Sequence, residues 1–199
     1  MTKYFNDNSY VTSINNKWWV VAAGFLVLLF CNGATVVLPI TFGAIIDDLG
    51  WSRTEVALFV SVQFSAAAFS AFFCGWVINR IGIRTIIVTA GIVAGISLMS
   101  FLWIQSLWQY YCIGAILGIT GVSTMVSVKT LISRWFSHNL GLAVGITLTG
   151  GSFAGALLPI LVNSLTRLYD WKIALSSLSL GIWLIALPFF LWKGRDNPS

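Results

Sequence analysis

Six apolar stretches of about 20 residues or more alternate with short polar breaks along the chain, at about 18–40, 56–78, 84–104, 107–128, 141–163 and 172–192. A hydrocarbon core of about 30 Å takes about 20 residues of helix to cross, and irregular backbone is not tolerated against lipid. The pattern therefore predicts six membrane-spanning helices and an all-α, polytopic membrane fold.

The polar breaks carry the start and stop signals. Ser52-Arg53-Thr54-Glu55 has the Ser-x-x-Glu spacing of a capping box, which satisfies free amides at a helix start. Gly82 suits a tight turn between the second and third spans. The Gln105-Ser106 connection is short enough to make the third and fourth spans antiparallel neighbours. Residues 1–17 are polar and lack the charged start, short apolar core and small-residue cleavage site of a secretory signal. They are expected to form an N-terminal tail, with the bundle at 18–192 and residues 193–199 opening a central loop or a C-terminal tail.

Composition excludes the soluble alternatives. The chain is 58% hydrophobic and 9% charged, and its aromatic share of 15% includes ten tryptophans, a residue that favours the membrane–water interface. Cys31, Cys74 and Cys112 all lie in apolar runs without metal-ligand spacing, so they read as small buried hydrophobes; no metal or cofactor is expected. The net charge of +5 is spread over short breaks rather than gathered on one basic face, which argues against a nucleic-acid partner.

The cations set an orientation. If the N-terminus is cytoplasmic, Lys3, Lys17, Arg80, Arg84, Arg134, Lys193 and Arg195 fall inside, with Lys129 at the margin, against Arg53, Arg167 and Lys172 outside. Eight against three predicts a multi-pass protein of the plasma or inner membrane with both termini cytoplasmic. The starts of spans one and four, two and five, and three and six are each about 85 to 90 residues apart. That spacing fits a three-plus-three repeat inverted across the membrane.

Glycines recur four apart at Gly91/Gly95, Gly114/Gly118, Gly141/Gly145 and Gly151/Gly155, which places bare patches on one helix face and lets a neighbouring backbone come close. The fifth span is densest, with Gly141, Gly145, Gly150, Gly151, Gly155 and then Pro159. Such a helix is expected to bend or slide.

Four stretches carry a family resemblance. GWVINRIGIR, residues 75–84, resembles the signature of the major facilitator superfamily between its second and third helices, Gly-x-x-x-Asp-Arg-x-Gly-Arg-Arg/Lys. Gly75, Arg80, Gly82 and Arg84 match, while Asn79 replaces the acid and Ile83 one basic position. LGWSRTEVALFVS, residues 49–61, and RWFSHNLGLAVGITLTGG, residues 134–151, resemble the approaches to the second and fifth helices in the oxalate/formate antiporter and monocarboxylate porter group. Tyr169-Asp170-Trp171-Lys172 is similar to that group's Gly-Trp-Arg start of the sixth. The resemblance implies the N-terminal half of a twelve-helix transporter, in which two six-helix bundles hold substrate between them. It further implies that the 75–84 turn, with Gly75, Asn79, Arg80, Gly82 and Arg84, acts with Arg134 as a conformational latch. Asparagine at 79 keeps hydrogen bonding but loses the charge, so that latch is expected to be weakened.

Transport of this kind is binding and release at mid-membrane, so polar side chains inside spans are the candidates. None of the six carboxylates, Asp7, Asp47, Asp48, Glu55, Asp170 and Asp196, falls in an apolar run. On this half, anion exchange or facilitated passage fits better than proton symport. Lys129, the one cation inside an apolar run, is a candidate partner for a substrate carboxylate. It lies about 10 Å of helix before Phe136, within snorkelling reach of the surface. Thr120, Ser123, Thr124 and Ser127 form a hydroxyl stripe, and Lys129 points about 180° from Thr120; either face is a candidate cavity lining. Asn32 and Gln63 are the other buried hydrogen-bonding side chains. The first and fourth helices line the cavity in the resembled fold, which favours Asn32, with interhelical bonding the alternative for both. The expected substrate contacts are Asn32, Lys129, Thr124 and Ser127.

Ser152 within GGSFAG raises an intramembrane protease. Bringing His138 beside it would collapse about 21 Å of helix, so no enzyme is expected. The expected function is a secondary transporter of small organic anions such as monocarboxylates or oxalate/formate, or its N-terminal half. Its expected partners are the lipid bilayer, the anion, and a second six-helix bundle supplied by a missing C-terminal half or by a homodimer. The alternative is a truncated, non-transporting membrane subunit or scaffold.

Overall fold

The computed structural model describes the backbone of residues 7–136 and 138–193 and the side chains of residues 17–136 and 138–192. Residues 1–6 and 194–199, and with them Lys3 and Arg195, lie outside the described residues, as does the side chain of Lys193. Six helical segments are long and apolar enough to cross a membrane: Lys17–Leu49, Arg53–Ile81, Ile83–Trp103, Leu107–Trp135, Leu140–Leu168 and Trp171–Trp192. The protein is an integral, multi-pass membrane protein.

The first span is α1 (Asp7–Val37), a 3-10 turn (Leu38–Thr41) and α2 (Phe42–Leu49). Pro39 sits in the first turn of the 3-10 segment, where its missing N–H breaks the α-helical ladder without ending the span. Helix begins at Asp7 rather than near 18, because the polar run 7–17 contains no glycine or proline to stop it. Gly50, in the left-handed conformation at φ 67°, closes α2 and returns its N–H to the Ile46 carbonyl.

The second span, α3 (Arg53–Ile81), starts on the expected capping box: Glu55 N–H donates to Ser52 Oγ at 3.3 Å, and Ser52 N–H donates to the Glu55 carboxylate at 2.8 Å. Gly82 alone joins α3 to α4 (Ile83–Met99), at a φ of 89° that a side-chain-bearing residue would resist. The 3-10 turn Ser100–Trp103 completes the third span, and α5 (Leu107–Trp135) and α6 (Leu140–Leu168) are the fourth and fifth. The sixth comprises α7 (Trp171–Gly181), a π-helical turn (Ile182–Ala186) and α8 (Leu187–Lys193).

Chain direction alternates from span to span. The start of α1, the α3–α4 turn, the α5–α6 turn and the end of α8 therefore share one face of the bundle. On it lie Lys17, Arg80, Arg84 and Arg134; the opposite face carries Arg53, Arg167 and Lys172.

The packing shows the inverted repeat that residue-by-residue comparison hides. α1 packs mainly on α6, and α3 on α5; α4 packs on α5 and α7, and the sixth span returns to α1. Exchange the first three spans for the last three and each of these pairings maps onto another or onto itself. The α1–α6 contact becomes α5–α3, the α4–α5 contact becomes that of the sixth span with α1, and α4–α7 and α1–α5 map onto themselves. The exchanged spans run in opposite directions, so the axis lies in the membrane plane. Both major crossings are built on one glycine against a facing backbone carbonyl: Gly118 against Gln63, and Gly150 against Phe25.

Burial is unequal. In the most apolar window of α3 and of α6, 22% of residues are buried, against 44% to 61% in the other four spans. These two spans are one of the three pairs that the repeat exchanges.

On the face opposite the chain ends, Tyr110 is fully buried among Phe59 (4.5 Å between ring centroids), Trp51 (5.5 Å) and Phe101 (6.3 Å). Beside this cluster Asp48 accepts from Trp171 Nε1 at 3.2 Å and pairs with Lys172 Nζ at 3.0 Å. The end of the first span is thereby tied to the start of the sixth.

Candidate functional site

A cavity of about 170 Å3 opens between α1, α3 and α5 near mid-span, lined in part by Asn32, Thr35, Gln63, Gly118, Gly121 and Met125. Asn32 is half-buried, and glycines leave it room on two sides. A Cβ on Gly121 would stand 3.8 Å from Asn32 Oδ1, and one on Gly151 3.9 Å from Nδ2. The Thr35 hydroxyl is spent on the Asn32 main-chain carbonyl at 2.6 Å. The Asn32 side-chain amide has no hydrogen-bond partner among the described residues.

The phase of α5 separates the two candidate faces. Gly118, Val122 and Met125 line the cavity, and Lys129 follows them at i+11, on the same face. It is half-buried and has no ion-pair partner among the described residues. Eight residues place it about 12 Å from Gly121 along the helix. Side chains lean toward a helix's N-terminus, which for α5 is away from the nearer membrane face and toward Met125 and the cavity. Snorkelling toward that surface would run against this direction.

The hydroxyl stripe turns the other way. Thr124 and Ser127, 1% and 0% exposed, are sealed inside the bundle, and neither hydroxyl has a partner among the described residues. Thr120 back-bonds to the Ile116 carbonyl at 2.9 Å. Ser123 instead meets Ser70 at 3.5 Å, beside a separate apolar groove of about 320 Å3 between α3, α4 and α5. The structure thus brings Asn32 and the Lys129 face to the cavity and does not bring Thr124 and Ser127 there.

The proposed latch residues lie on the face of the chain ends. Gly75 and Asn79 are exposed, and a Cβ on Gly75 would meet nothing within 4 Å. The Arg80 guanidinium lies 4.5 Å over the ring of Trp76, one turn earlier. Arg84 donates to the Leu191 carbonyl at 2.7 Å, capping the end of the sixth span. Arg134 is exposed in the last turn of α5.

Of the fifth-span glycines, Gly150 makes a close crossing, while Gly151 and Gly155 leave ordinary contact distances to Asn32 and to Val36 (3.6 Å). Gly141 and Gly145 face open space and take no part in packing within this bundle, unlike Gly91, Gly95, Gly114 and Gly118. Pro159 sits within an uninterrupted α6.

A profile of the Major Facilitator Superfamily matches residues 20–199. The chain belongs to that superfamily. It is 27% identical over 158 residues to "Probable anion transporter 3, chloroplastic" of Arabidopsis thaliana, covering 73% of this chain and 30% of that protein. To "Monocarboxylate transporter 7" of Homo sapiens it is 22% identical over 171 residues, covering 84% and 33%. The solved proton:xylose symporter XylE, bound to 6-bromo-6-deoxy-D-glucose, superposes with a TM-score of 0.77 at 15% identity, over 90% of this chain and 45% of that one. The chain therefore spans about a third of these two relatives' length, and the superposition shows a major-facilitator half-fold.

Two structural placements in this superfamily member escape sequence reasoning. Gln63 is visible as a polar residue in an apolar run, but only the α3–α5 crossing shows that it lines the cavity. Arg84 reads as a surface cation, and its main-chain acceptor lies 107 residues away with no side-chain signature.

Proposed function

We propose that this chain forms one half of a secondary transporter that moves small organic anions by alternating access. The observation that carries the reading is the mid-span cavity, with the Asn32 amide and, on the α5 face that lines it, the cation Lys129, neither partnered among the described residues. A carboxylate leaving water needs a positive charge and hydrogen-bond donors in the pore, and this face supplies both types. The printed names of two relatives, an anion transporter and a monocarboxylate transporter, support the same substrate class.

The second six-helix bundle, from a further segment or a second copy, would cover α3 and α6, the least buried spans. The rocking face would then carry the open glycines Gly141 and Gly145, and α6, with Gly150, Gly151, Gly155 and Pro159, would be the span that adjusts. The 75–84 turn and Arg134 would meet the second bundle at the cytoplasmic surface. The cation bias supports placing both chain ends on that side of the cell membrane. Superfamily membership in a family of transporters supports a carrier rather than an enzyme.

Counterflow of labelled oxalate, formate, lactate and pyruvate into proteoliposomes holding the protein tests the reading. Exchange of at least one above protein-free vesicles is expected. No exchange of any of them by correctly folded protein contradicts it.

A further inference from the structure

Gln63 is 4% exposed, sits on the wall of the mid-span cavity, and its Nε2 has no hydrogen-bond partner among the described residues. Its carbonyl end has none among them either. A sealed amide nitrogen without an acceptor is an expensive feature, since the unmade bond forfeits the water it gave up. The interhelical bond that would explain an intramembrane glutamine is not made. The helices cross here so closely that a Cβ on Gly118 would collide with the Gln63 main-chain carbonyl. The crossing thus holds the glutamine at the cavity without satisfying it. Rotation about the terminal side-chain bond exchanges the two amide ends at small cost, so the group can present a donor or an acceptor inward.

Asn32 presents a second idle amide on the same cavity, from α1. Lys129 approaches from the chain-end side: about 12 Å of helix separates it from Gly121, and an extended lysine recovers about half of that. A charge at one end of the cavity and two amides at the other match a ligand with unlike ends.

We infer that Gln63 is a substrate-contacting, specificity-determining residue: with Asn32 it hydrogen-bonds a polar oxygen on the transported anion, at the end away from Lys129. This inference rests on the organic-anion reading above. The anion's carboxylate faces Lys129, and the amide pair discriminates against anions that carry a methyl where the oxygen belongs. A site whose buried amides are left unpaired by the wrong ligand rejects it more strongly than an apolar pocket rejects an extra methylene.

The test compares lactate with isobutyrate, which replaces the hydroxyl by a methyl group at nearly constant shape. Uptake of both labelled anions is measured in proteoliposomes with the wild-type protein, Gln63→Met and Gln63→Glu. The wild type is expected to prefer lactate by about tenfold or more in kcat/KM. Gln63→Met, close in length and apolar, should bring the preference to within about twofold of unity by losing lactate while keeping isobutyrate. Gln63→Glu, which puts an acid where the amide stood, should depress lactate uptake further, and it carries the test if the methionine variant does not fold.

A wild-type preference that survives unchanged in a folded, transporting Gln63→Met or Gln63→Glu protein overturns the role of Gln63 and leaves the organic-anion reading standing. Wild-type uptake of both anions without preference does the same. Failure of the wild type to take up either of them, or any of the four anions named above, removes the organic-anion reading and this inference with it.

Discussion

At Gly118 one methyl group decides how closely α3 and α5 approach. Its ideal Cβ falls on the Gln63 carbonyl, which belongs to helix backbone and cannot swing aside. Gly118→Ala should destabilise the folded bundle by about 1–3 kcal/mol, read as a lowered thermal midpoint in detergent. Gly141→Ala, at a glycine with nothing within 4 Å, should leave the midpoint nearly unchanged or raise it slightly, because alanine also favours helix. Equal losses from both substitutions would mean that the crossing is not where the tension lies. Arg84 makes a different kind of contact, from a flexible cation to the last-turn carbonyl of Leu191. Arg84→Ala should lower the thermal midpoint by about 2–4 °C, while Arg84→Lys, which keeps the charge and can still reach a single carbonyl, should recover part of it.

Among the elements, α6 is the one whose sequence and structure pull apart. Six helix-weakening residues read as a bend, yet the helix runs unbroken from Leu140 to Leu168 with Pro159 inside it. Neighbouring contacts supply the reason: Gly150 is clamped against Phe25 and Gly24 against Thr147, so α1 holds α6 along its inner face. Gly141 and Gly145 lie outside that clamp. If they face a second bundle, Gly145→Leu should weaken transport more than it lowers the thermal midpoint of the isolated chain. A midpoint that falls in step with transport would place Gly145 in this bundle's own packing. Hydrophobic length made the six spans legible, together with Ser52 and Gly82 at their ends, because crossing a bilayer is a constraint each segment meets alone. The start of α1 was not legible, because hydropathy marks the membrane and not the helix, and residues 7–17 carry no stop signal. Nor was the choice between the opposed faces of α5, since it depends on which neighbour lies where. The crossing on α3 at Gly118 turned Lys129 toward the cavity and sealed Thr124 and Ser127 within the core.

At the scale of the whole molecule, the inverted repeat explains both where the bundle is tight and where it is open. The exchanged pairs α1–α6 and α3–α5 form its core, and the exchanged spans α3 and α6 are its barest surfaces. The three-plus-three arrangement was visible in the spacing of span starts but not in any repeated residues; it survives in the crossings, with the glycine supplied by the fourth span at one and by the fifth at the other. That geometry leaves the cavity between the first, second and fourth spans. The central claim is that this cavity holds a small organic anion with Lys129 as its counter-charge. The most direct measurement is concentration-dependent counterflow of lactate in proteoliposomes with wild-type and Lys129→Gln protein, matched for folded material by thermal midpoint. Loss of the charge should raise KM or lower kcat/KM by about tenfold or more, with the midpoint unchanged or raised. Lactate counterflow that is indistinguishable between the two proteins would contradict the account.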